Sequence, residues 1–282
     1  MVYIAEETID RFIKEDIPYI DLTSIILEIA GIKGKMEFVC REEAVICGTE
    51  EVLRIFNKFN IIPVRYVSSG TKVNPGTCIM EAEGNAENLH MAWKPAMNIL
   101  EYTSGIASRT RRLVDKAKAV NPKIEINTTR KIFPGTKEMS IKAVLAGGGM
   151  PHRLGLSETV LIFKQHLNFI GGFEGLNTKL NDLKARACEK KFIVEVENQD
   201  EAVKVCRAGA DGIQLDKVSP DDLQKIVPII KSIDSKILIL AAGGINESNV
   251  EAYAQTGVDA LVTTSVYFGK PVDIGTRIIQ LI

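Results

Sequence analysis

A repeat of apolar strands and capped helices from Phe192 onward constrains the fold of this chain more than any other feature. FIVEVEN and GIQLD have the character of strands. The segment between them has the character of a helix, which Asn198 caps and Gly209 ends. The next helix begins with Ser219 as cap and Pro220 in its first turn. KILILAA, NESNVEAYAQTG and DALVTT continue the alternation. Strands that alternate with such helices indicate parallel βα units.

Two apolar segments upstream extend the pattern to six predicted strands, near residues 124–128, 159–163, 192–197, 212–215, 236–241 and 259–264. Their nearly continuous apolar character is typical of strands that are covered on both faces. Six such units can form an open doubly wound sheet or a small barrel. The near-regular repeat favours an α/β fold with an incomplete, TIM-like barrel of six parallel strands.

The first hundred residues show a different pattern. Alternating strands are broken by SSG and NPG turns, which is typical of an α+β domain. A helical pattern follows from Asn85 past Gly105, and Pro95 is expected to bend or interrupt it. We predict a first domain over residues 1–105 and a barrel domain over 106–265. Residues 266–282 are predicted to return to the first domain.

Net charge and hydrophobic patterning argue against two classes of binding partner. A net charge of −1 gives no overall attraction to nucleic acid, so no nucleic-acid partner is expected. No apolar run approaches the ~18 residues of a membrane span, so no membrane partner is expected either. The five cysteines form no CxxC pair, which favours free thiols and a cytoplasmic location.

Charged residues gather where the predicted strands end, and parallel α/β barrels carry their chemistry at that rim. Arg130 and Lys131 follow the first strand, where TTRKIFPG is either a solvated loop or an anion site. Glu195 and Glu197 alternate on the third strand, so we expect both on one face with a cation nearby. Asp216 ends the fourth strand. Glu195 and Asp216 together suit Mg²⁺, which binds a few carboxylates plus substrate oxygens.

Two glycine-rich segments differ in what they predict. In AAGGINESNV, Gly243 and Gly244 allow the backbone to approach an anion, and the predicted helix after them favours negative charge. A simple βα turn is the alternative. The run at 147–149 lacks a nucleotide-loop pattern and is interpreted as a turn that delivers His152 and Arg153. Arginine suits planar recognition of carboxylate or phosphate.

The segment TTRKIFPGTKEMSIKAVLAGGGMPHRLGLSETVLI resembles the quinolinate phosphoribosyltransferase (nicotinate-nucleotide pyrophosphorylase) family. PYIDLTS, NILEYTSGIASRT, VEVEN and GIQLD extend the resemblance over nearly the whole chain. It implies an N-terminal α/β-sandwich domain, a six-stranded α/β barrel, and a homodimer or larger assembly.

The resemblance also implies roles for the residues already singled out. The basic residues Arg130, Lys131, His152 and Arg153 would line the site for phosphoribosyl pyrophosphate and a small aromatic acid. The acids Glu195 and Asp216 would lie near the ribose and Mg²⁺. Gly243 and Gly244 would hold the 5-phosphate.

Three positions depart from the family pattern. Lys94 replaces an arginine that reaches the neighbouring subunit's substrate, and Lys loses the bidentate fork. LIFKQH places Phe163 where the family has an active-site lysine, with Lys164 on the opposite face. VTTS, which includes Thr264, replaces a glycine-containing turn. These changes resemble the ModD-type proteins, a pyrophosphorylase-like group associated with molybdate-transport genes.

Two functional hypotheses follow. The first is a Mg²⁺-dependent type II phosphoribosyltransferase in which Lys131, Glu195 and Asp216 are catalytic and Lys94 and Thr264 help to bind substrate. Its acceptor would be quinolinate or a related small anionic nitrogen heterocycle. The second is a non-catalytic protein that binds an anionic metabolite in connection with molybdate transport. A Schiff-base aldolase would need a lysine inside a strand, which the predicted strands do not offer.

Overall fold

The computed structural model describes residues 2–281, which divide into two compact units. The first contains residues up to 111, residues 132–148, and residues from 267 onward; the second contains residues 112–131 and 149–266. Among the helices of residues 2–281, none has the length and apolar character that crossing a membrane requires.

The helices and strands are numbered in chain order. The helices are α1 Glu6–Asp16, α2 Leu22–Ile26, α3 Thr49–Lys58, α4 Ala86–Val120, α5 Lys137–Ala146, α6 Lys164–Leu167, α7 Gly172–Arg186, α8 Gln199–Arg207, α9 Pro220–Ile233 and α10 Val250–Ala254, with a 3-10 turn at Ser265–Tyr267. The strands are β1 Lys33–Cys40, β2 Ala44–Val45, β3 Ile62–Tyr66, β4 Lys72–Val73, β5 Cys78–Asn85, β6 Glu125–Thr128, β7 Met150–Pro151, β8 Val160–Ile162, β9 Phe192–Val196, β10 Gly212–Asp216, β11 Leu238–Ala242, β12 Ala260–Thr263 and β13 Ile274–Gln280.

The first unit is built on an antiparallel sheet with the order β13-β1-β5-β3. Alternate residues of β1, including Met36 and Phe38, are fully buried and pack in one cluster with Ile55 and Phe56 of α3. The chain's last strand, β13, pairs with β1 over its whole length. The C-terminal segment therefore completes the sheet that the N-terminal segment begins.

Helix α4 runs without interruption through Pro95, so of the two expected effects, a bend or a break, the break does not occur. Pro95 is buried, and Ala92, Ala96 and Leu100 on the same helix belong to the core cluster, so core packing offsets the cost of the proline. Further along, the Ser104 and Ser108 hydroxyls accept hydrogen bonds from the backbone N–H groups of Cys47 and Val45, at 2.9 and 2.8 Å. These hydroxyls satisfy backbone groups that would otherwise be buried without partners.

Residues 132–148 belong to the first unit, whereas the sequence boundaries place them in the barrel domain. Helix α5 explains this grouping. Lys142 Nζ lies 2.7 Å from Glu50 Oε2 and 2.5 Å from Glu51 Oε2, and Glu51 is almost fully buried. Burial would raise the pKa of Glu50, but hydrogen bonds from Lys142 and Ser69 outweigh it and hold the pKa at about 2.

The second unit contains a parallel sheet with the order β7-β6-β12-β11-β10-β9-β8. All six predicted strands are present, and the two-residue strand β7 adds a seventh at one edge. The first long strand, β6, lies beside the last, β12, which is the neighbour order of a barrel and not of a doubly wound sheet. Because β7 and β8 are edges in the part described, the barrel is incomplete. The predicted fold class is confirmed.

Removing the Lys142 ammonium tests the packing of α5. We expect Lys142→Ala to lower the free energy of unfolding by about 3 kcal/mol, because Glu51 would remain buried without its counter-ion. Urea unfolding followed by the fluorescence of Trp93, the only tryptophan in the sequence, reports on the first unit.

Lys72→Ala is the matched control, since Lys72 pairs with Glu43 at an exposed position of the same unit. Its effect should stay within about 0.5 kcal/mol. Equal losses for the two variants would contradict the assigned role of Lys142.

Candidate active site

The carboxyl ends of the parallel strands surround one large cavity in the second unit, with a volume of about 800 Å³. Side chains on the inner faces of the strands and residues of the loops after them form its walls. They are Thr129, Arg130, Lys131, His152, Arg153, Leu161, Phe163, Gln165, Glu195, Gln214, Asp216, Lys217, Ala242, Gly243, Gly244, Ile245, Asn246, Val262, Thr263, Thr264 and Ser265.

The cavity brings together every candidate site residue of the barrel except Glu197, and Lys94, in the first unit, also lies outside its lining. Lys94 is in α4, and its Nζ lies 4.7 Å from the centre of the Trp93 ring. Glu197 lies just past the end of β9, so strand alternation no longer directs its side chain to the side of Glu195. Its Oε2 lies 3.4 Å from Lys164 Nζ, and neither residue lines the cavity.

One wall of the cavity is basic. Arg130 and Lys131 follow β6, and His152 and Arg153 follow β7, its parallel neighbour. The His152 N–H fixes this alignment by donating to the Thr128 carbonyl at 3.0 Å. Burial and then the Arg130 guanidinium lower the pKa of Arg153, so the wall holds like charges close together. An anion bound between them would relieve that repulsion.

His152 adds a polar atom without a partner to the basic wall. Its Nε2 is buried and has no hydrogen-bond partner among the described residues. Burial lowers the pKa of His152, and the nearby Arg153 charge lowers it further. The imidazole is therefore held in its neutral form, with one ring nitrogen left for a ligand.

The opposite wall is acidic and is organised by the pairing of β9 with β10. Glu195 is the register partner of Gln214, whose Nε2 donates to Glu195 Oε2 at 2.7 Å. Burial raises the pKa of Glu195; the hydrogen bond from Gln214 opposes this, and Asp216 reinforces it. Gln214 Oε1 is buried and has no hydrogen-bond partner among residues 2–281.

The glycine pair after β11 closes the acidic wall. Gly243 has a φ of +90°, and a Cβ there would lie 2.5 Å from Lys217 Cγ and 2.8 Å from Asp216 Oδ1. The loop therefore packs against the end of β10 in a way that only glycine allows. Gly244 also has a positive φ of +75°, but a Cβ there would meet open space. Its carbonyl accepts hydrogen bonds from the side-chain amides of Asn246 and Asn249.

The helix predicted over NESNVEAYAQTG is present but starts later and is shorter than predicted. Helix α10 begins only at Val250 and has five residues. Asn246, Ser248 and Asn249 instead form a turn, in which Asn246 Oδ1 accepts from the Ser248 N–H at 2.9 Å. These short polar side chains compete with the helix for backbone groups. Any anion held here would be bound by the loop backbone, without the dipole of a long helix.

An aromatic group separates the two walls at the end of β8. The Phe163 ring lies 5.8 Å from the Arg153 guanidinium carbon and stacks at 5.7 Å on the His166 ring. The Phe163 N–H donates to His166 Nδ1 at 3.0 Å, which fixes this turn. Lys164 points elsewhere and its side chain is 62% exposed. The ammonium next to Phe163 in the sequence therefore does not enter the cavity.

Comparison with known proteins identifies the family. The N-terminal domain model of quinolinate phosphoribosyl transferase matches residues 21–104, and the C-terminal domain model matches residues 106–277. The chain belongs to the quinolinate phosphoribosyltransferase family. Its two family domains therefore account for nearly the whole sequence.

Relatives and solved structures agree with this assignment. The ModD protein of Pasteurella multocida (strain Pm70) is 34% identical over 274 residues, which cover 97% of each chain. The nicotinate-nucleotide pyrophosphorylase structure from Francisella tularensis is 28% identical with a TM-score of 0.86, covering 98% of each chain. That from Ehrlichia chaffeensis is 26% identical with a TM-score of 0.90, covering 99% of this chain and 100% of the other.

The acidic wall of this family member has the donor atoms that a Mg²⁺ ion uses. Among residues 2–281 no group of three His, Cys, Asp or Glu side chains could hold a metal alone. Glu195 and Asp216 nevertheless offer two carboxylates on the same wall. Mg²⁺ prefers oxygen ligands and usually keeps sites for water and substrate phosphates. The residues therefore fit an ion that is bound jointly with a phosphorylated ligand.

Sequence reasoning missed two residues of this wall. Gln214 lies two positions before Asp216 on the same strand, so the alternation rule that identified Glu195 could have found it. Lys217 enters the cavity wall because its backbone adopts a φ of +56°, which no sequence signal announces. Its Nζ lies 3.8 Å from Asp216 Oδ2.

Neutralising one cation tests whether the basic wall binds anions. We expect Lys131→Ala to weaken the binding of inorganic pyrophosphate by at least about tenfold, because a charge-assisted hydrogen bond would be lost. Isothermal titration calorimetry provides the measurement. Lys164→Ala removes an equal charge outside the cavity and should leave the affinity within about twofold. Equal affinities for Lys131→Ala and the unmodified protein would remove Lys131 from the site.

Proposed function

We propose that this protein is a phosphoribosyltransferase that joins phosphoribosyl pyrophosphate to a small anionic nitrogen heterocycle and releases pyrophosphate. The observation that carries the proposal is the cavity itself. Its walls carry the basic residues Arg130, Lys131, Arg153 and Lys217 together with the carboxylates Glu195 and Asp216. Family membership and the similarity to nicotinate-nucleotide pyrophosphorylases support this reading.

The reaction needs both walls. As the bond between C1 of the ribose and the pyrophosphate oxygen breaks, its electron pair leaves with pyrophosphate and positive charge develops on the ribose. Glu195 and Asp216 would stabilise that charge, while Lys131 would stabilise the leaving group. The ring nitrogen of the acceptor then forms the new bond to C1. Glu195 acts as a carboxylate here, so activity should fall in acid as its raised pKa is approached.

A Mg²⁺ ion would be held by Glu195 and Asp216 together with oxygens of the phosphorylated substrate. When bound, it would neutralise charge on the pyrophosphate group and help it to depart. Gly243 and Gly244 would present backbone groups to the 5-phosphate. Thr264 lies at the same rim and hydrogen-bonds to the Thr129 hydroxyl at 2.9 Å.

The acceptor would bind against the basic wall. His152 and Arg153 would hold its carboxylate, and the Phe163 face would contact an aromatic ring. Quinolinate or a related acid fits this description. Phe163 supplies no charge and so would not bind a second carboxylate of the acceptor. The wall therefore favours an acceptor that can be held by one carboxylate.

A second candidate function is the binding of an anionic metabolite without turnover. Phe163, in place of a charged side chain at the end of β8, is the observation that favours it. The resemblance to ModD-type proteins, a group associated with molybdate-transport genes, supports such a role beside molybdate transport. In either case we place the protein in the cytoplasm, because its five cysteines are free thiols.

We also propose that the protein forms a homodimer or larger assembly in which Lys94 reaches the neighbouring subunit's site. Exposed apolar side chains near α2 support an interface on the first unit: Tyr19 is 89%, Ile26 72% and Leu22 62% exposed. Large apolar side chains exposed this close together in the sequence are typical of interaction sites. Light scattering coupled to gel filtration should give at least twice the chain mass of 31.0 kDa. A single-chain mass at micromolar concentration would contradict the assembly.

A turnover assay tests the main proposal. Purified protein with phosphoribosyl pyrophosphate, Mg²⁺ and a panel of pyridine and related ring acids is expected to release pyrophosphate with at least one acceptor. Glu195→Gln should abolish most of that release, since the charge facing the ribose would be lost. Calorimetry run alongside separates the alternatives. Binding of phosphoribosyl pyrophosphate without release by any acceptor would favour the binding protein, and no binding would contradict both functions.

The same assay with Phe163→Lys tests the acceptor. Adding a cation at the end of β8 should raise kcat/KM for quinolinate, a dicarboxylate, by about tenfold relative to a ring monocarboxylate. Phe169→Lys is the matched control, because Phe169 is 91% exposed and does not line the cavity. An unchanged ratio for Phe163→Lys would show that the acceptor is selected elsewhere.

A further inference from the structure

The side chain of Gln214 carries one of two buried polar atoms on the cavity wall that have no hydrogen-bond partner among residues 2–281, the other being His152 Nε2. Only 5% of the residue is exposed, and its side-chain amide has a donor group and an acceptor oxygen that both need partners. The NH₂ group donates to Glu195 Oε2 at 2.7 Å. The carbonyl oxygen, Oε1, lines the cavity but has no hydrogen-bond partner among the described residues. A buried amide oxygen without a partner is costly, so a ligand group that donates to it would bind favourably.

The hydrogen bond to Glu195 fixes which atom of the amide faces the ligand. A carboxylate only accepts, so the NH₂ end of Gln214 must point to Glu195 and the oxygen must point away from it. The register of β9 and β10 places the two residues side by side, and Asp216 follows on the same face of β10. Gln214 therefore presents one acceptor oxygen to a cavity whose wall also carries both carboxylates.

The reactants of the proposed function offer few groups that could donate to this oxygen. Phosphate, pyrophosphate and ring carboxylates are acceptors at neutral pH, and a ring nitrogen that attacks C1 presents a lone pair. The hydroxyls of the ribose are the donors that remain. Glu195, beside Gln214 on β9, and Asp216, two positions along β10, are also the groups proposed to face the ribose.

We propose, on the basis of the function proposed above, that Gln214 is a specificity-determining residue that accepts a hydrogen bond from a ribose hydroxyl and selects ribose over sugars with that hydroxyl removed or inverted. Its NH₂ group also positions Glu195 for the same sugar. A site that hydrogen-bonds a buried hydroxyl rejects an analogue that lacks it, because the site's polar atom is then left without a partner.

The test compares four sugar phosphates by isothermal titration calorimetry: ribose 5-phosphate, 2-deoxyribose 5-phosphate, arabinose 5-phosphate and xylose 5-phosphate. The last three alter the hydroxyl at C2 or C3 and keep the phosphate. The unmodified protein is expected to bind ribose 5-phosphate at least about tenfold more tightly than one or more of the analogues. Gln214→Met, which nearly conserves volume, should reduce that preference to less than about twofold.

Two further measurements separate recognition of the sugar from a structural role. The affinity of Gln214→Met for inorganic pyrophosphate, which has no sugar, should stay within about twofold of the unmodified protein. Gln224→Met, on the exposed face of α9, should keep the full preference for ribose. A preference unchanged in Gln214→Met would overturn the inference, and so would equal losses for pyrophosphate and every sugar phosphate.

The unmodified protein provides a test that needs no variant, since equal binding of all four sugar phosphates would also overturn the inference. The outcome is independent of the turnover assay. Turnover with no discrimination between sugars would defeat the role of Gln214 and leave the transferase standing. Discrimination without turnover would support the role of Gln214 in a protein that only binds.

Discussion

The parallel pairing of β9 with β10 is the contact on which the rest of the site depends. It sets Glu195 and Gln214 side by side in the barrel interior, where each needs the other. An isolated carboxylate would be costly inside this sheet, and the amide hydrogen bond keeps it ionisable. A slip of one residue would turn the inward-facing side chains of β10 to the other face and remove Gln214 and Asp216 from the cavity together.

The basic wall depends on a shorter strand pairing than the acidic wall does. β7 contains only Met150 and Pro151, and its alignment with β6 extends through the hydrogen bond from the His152 N–H to the Thr128 carbonyl. Like charges then meet across this short edge, and burial adds to the cost. Bringing these like charges together costs free energy, and a bound anion would offset that cost. We therefore interpret these cations as a binding surface and not as groups that stabilise the fold.

The sequence predicted the second unit well because its strands obey a simple rule: apolar runs between capped helices must pair in parallel. The same rule located Glu195 and Asp216. It failed at Glu197, since alternation stops where the strand stops, and at the start of α10, since Asn246 and Asn249 take the backbone groups that a helix would use. It could not place Lys217, whose position follows from a left-handed backbone rather than from any periodicity. Residues 132–148 join the first unit through long-range contacts, such as the pair of Lys142 with Glu51, which local patterns do not encode.

The contrast between Phe163 and Gln214 shows how a barrel of this type can change its ligand without changing its fold. Both lie on inward-facing positions near strand ends, and neither is charged. Phe163 is held by the stacked His166 ring and by a backbone hydrogen bond to the same side chain, so the turn after β8 is stable without a ligand. Gln214 Oε1, in contrast, is left without a partner. The turn that carries Phe163 is therefore complete as it stands, whereas the position of Gln214 lacks a hydrogen-bond donor. The missing donor at Gln214 would restrict the sugar, while the aromatic face of Phe163 could accept different rings beside a carboxylate held by His152 and Arg153.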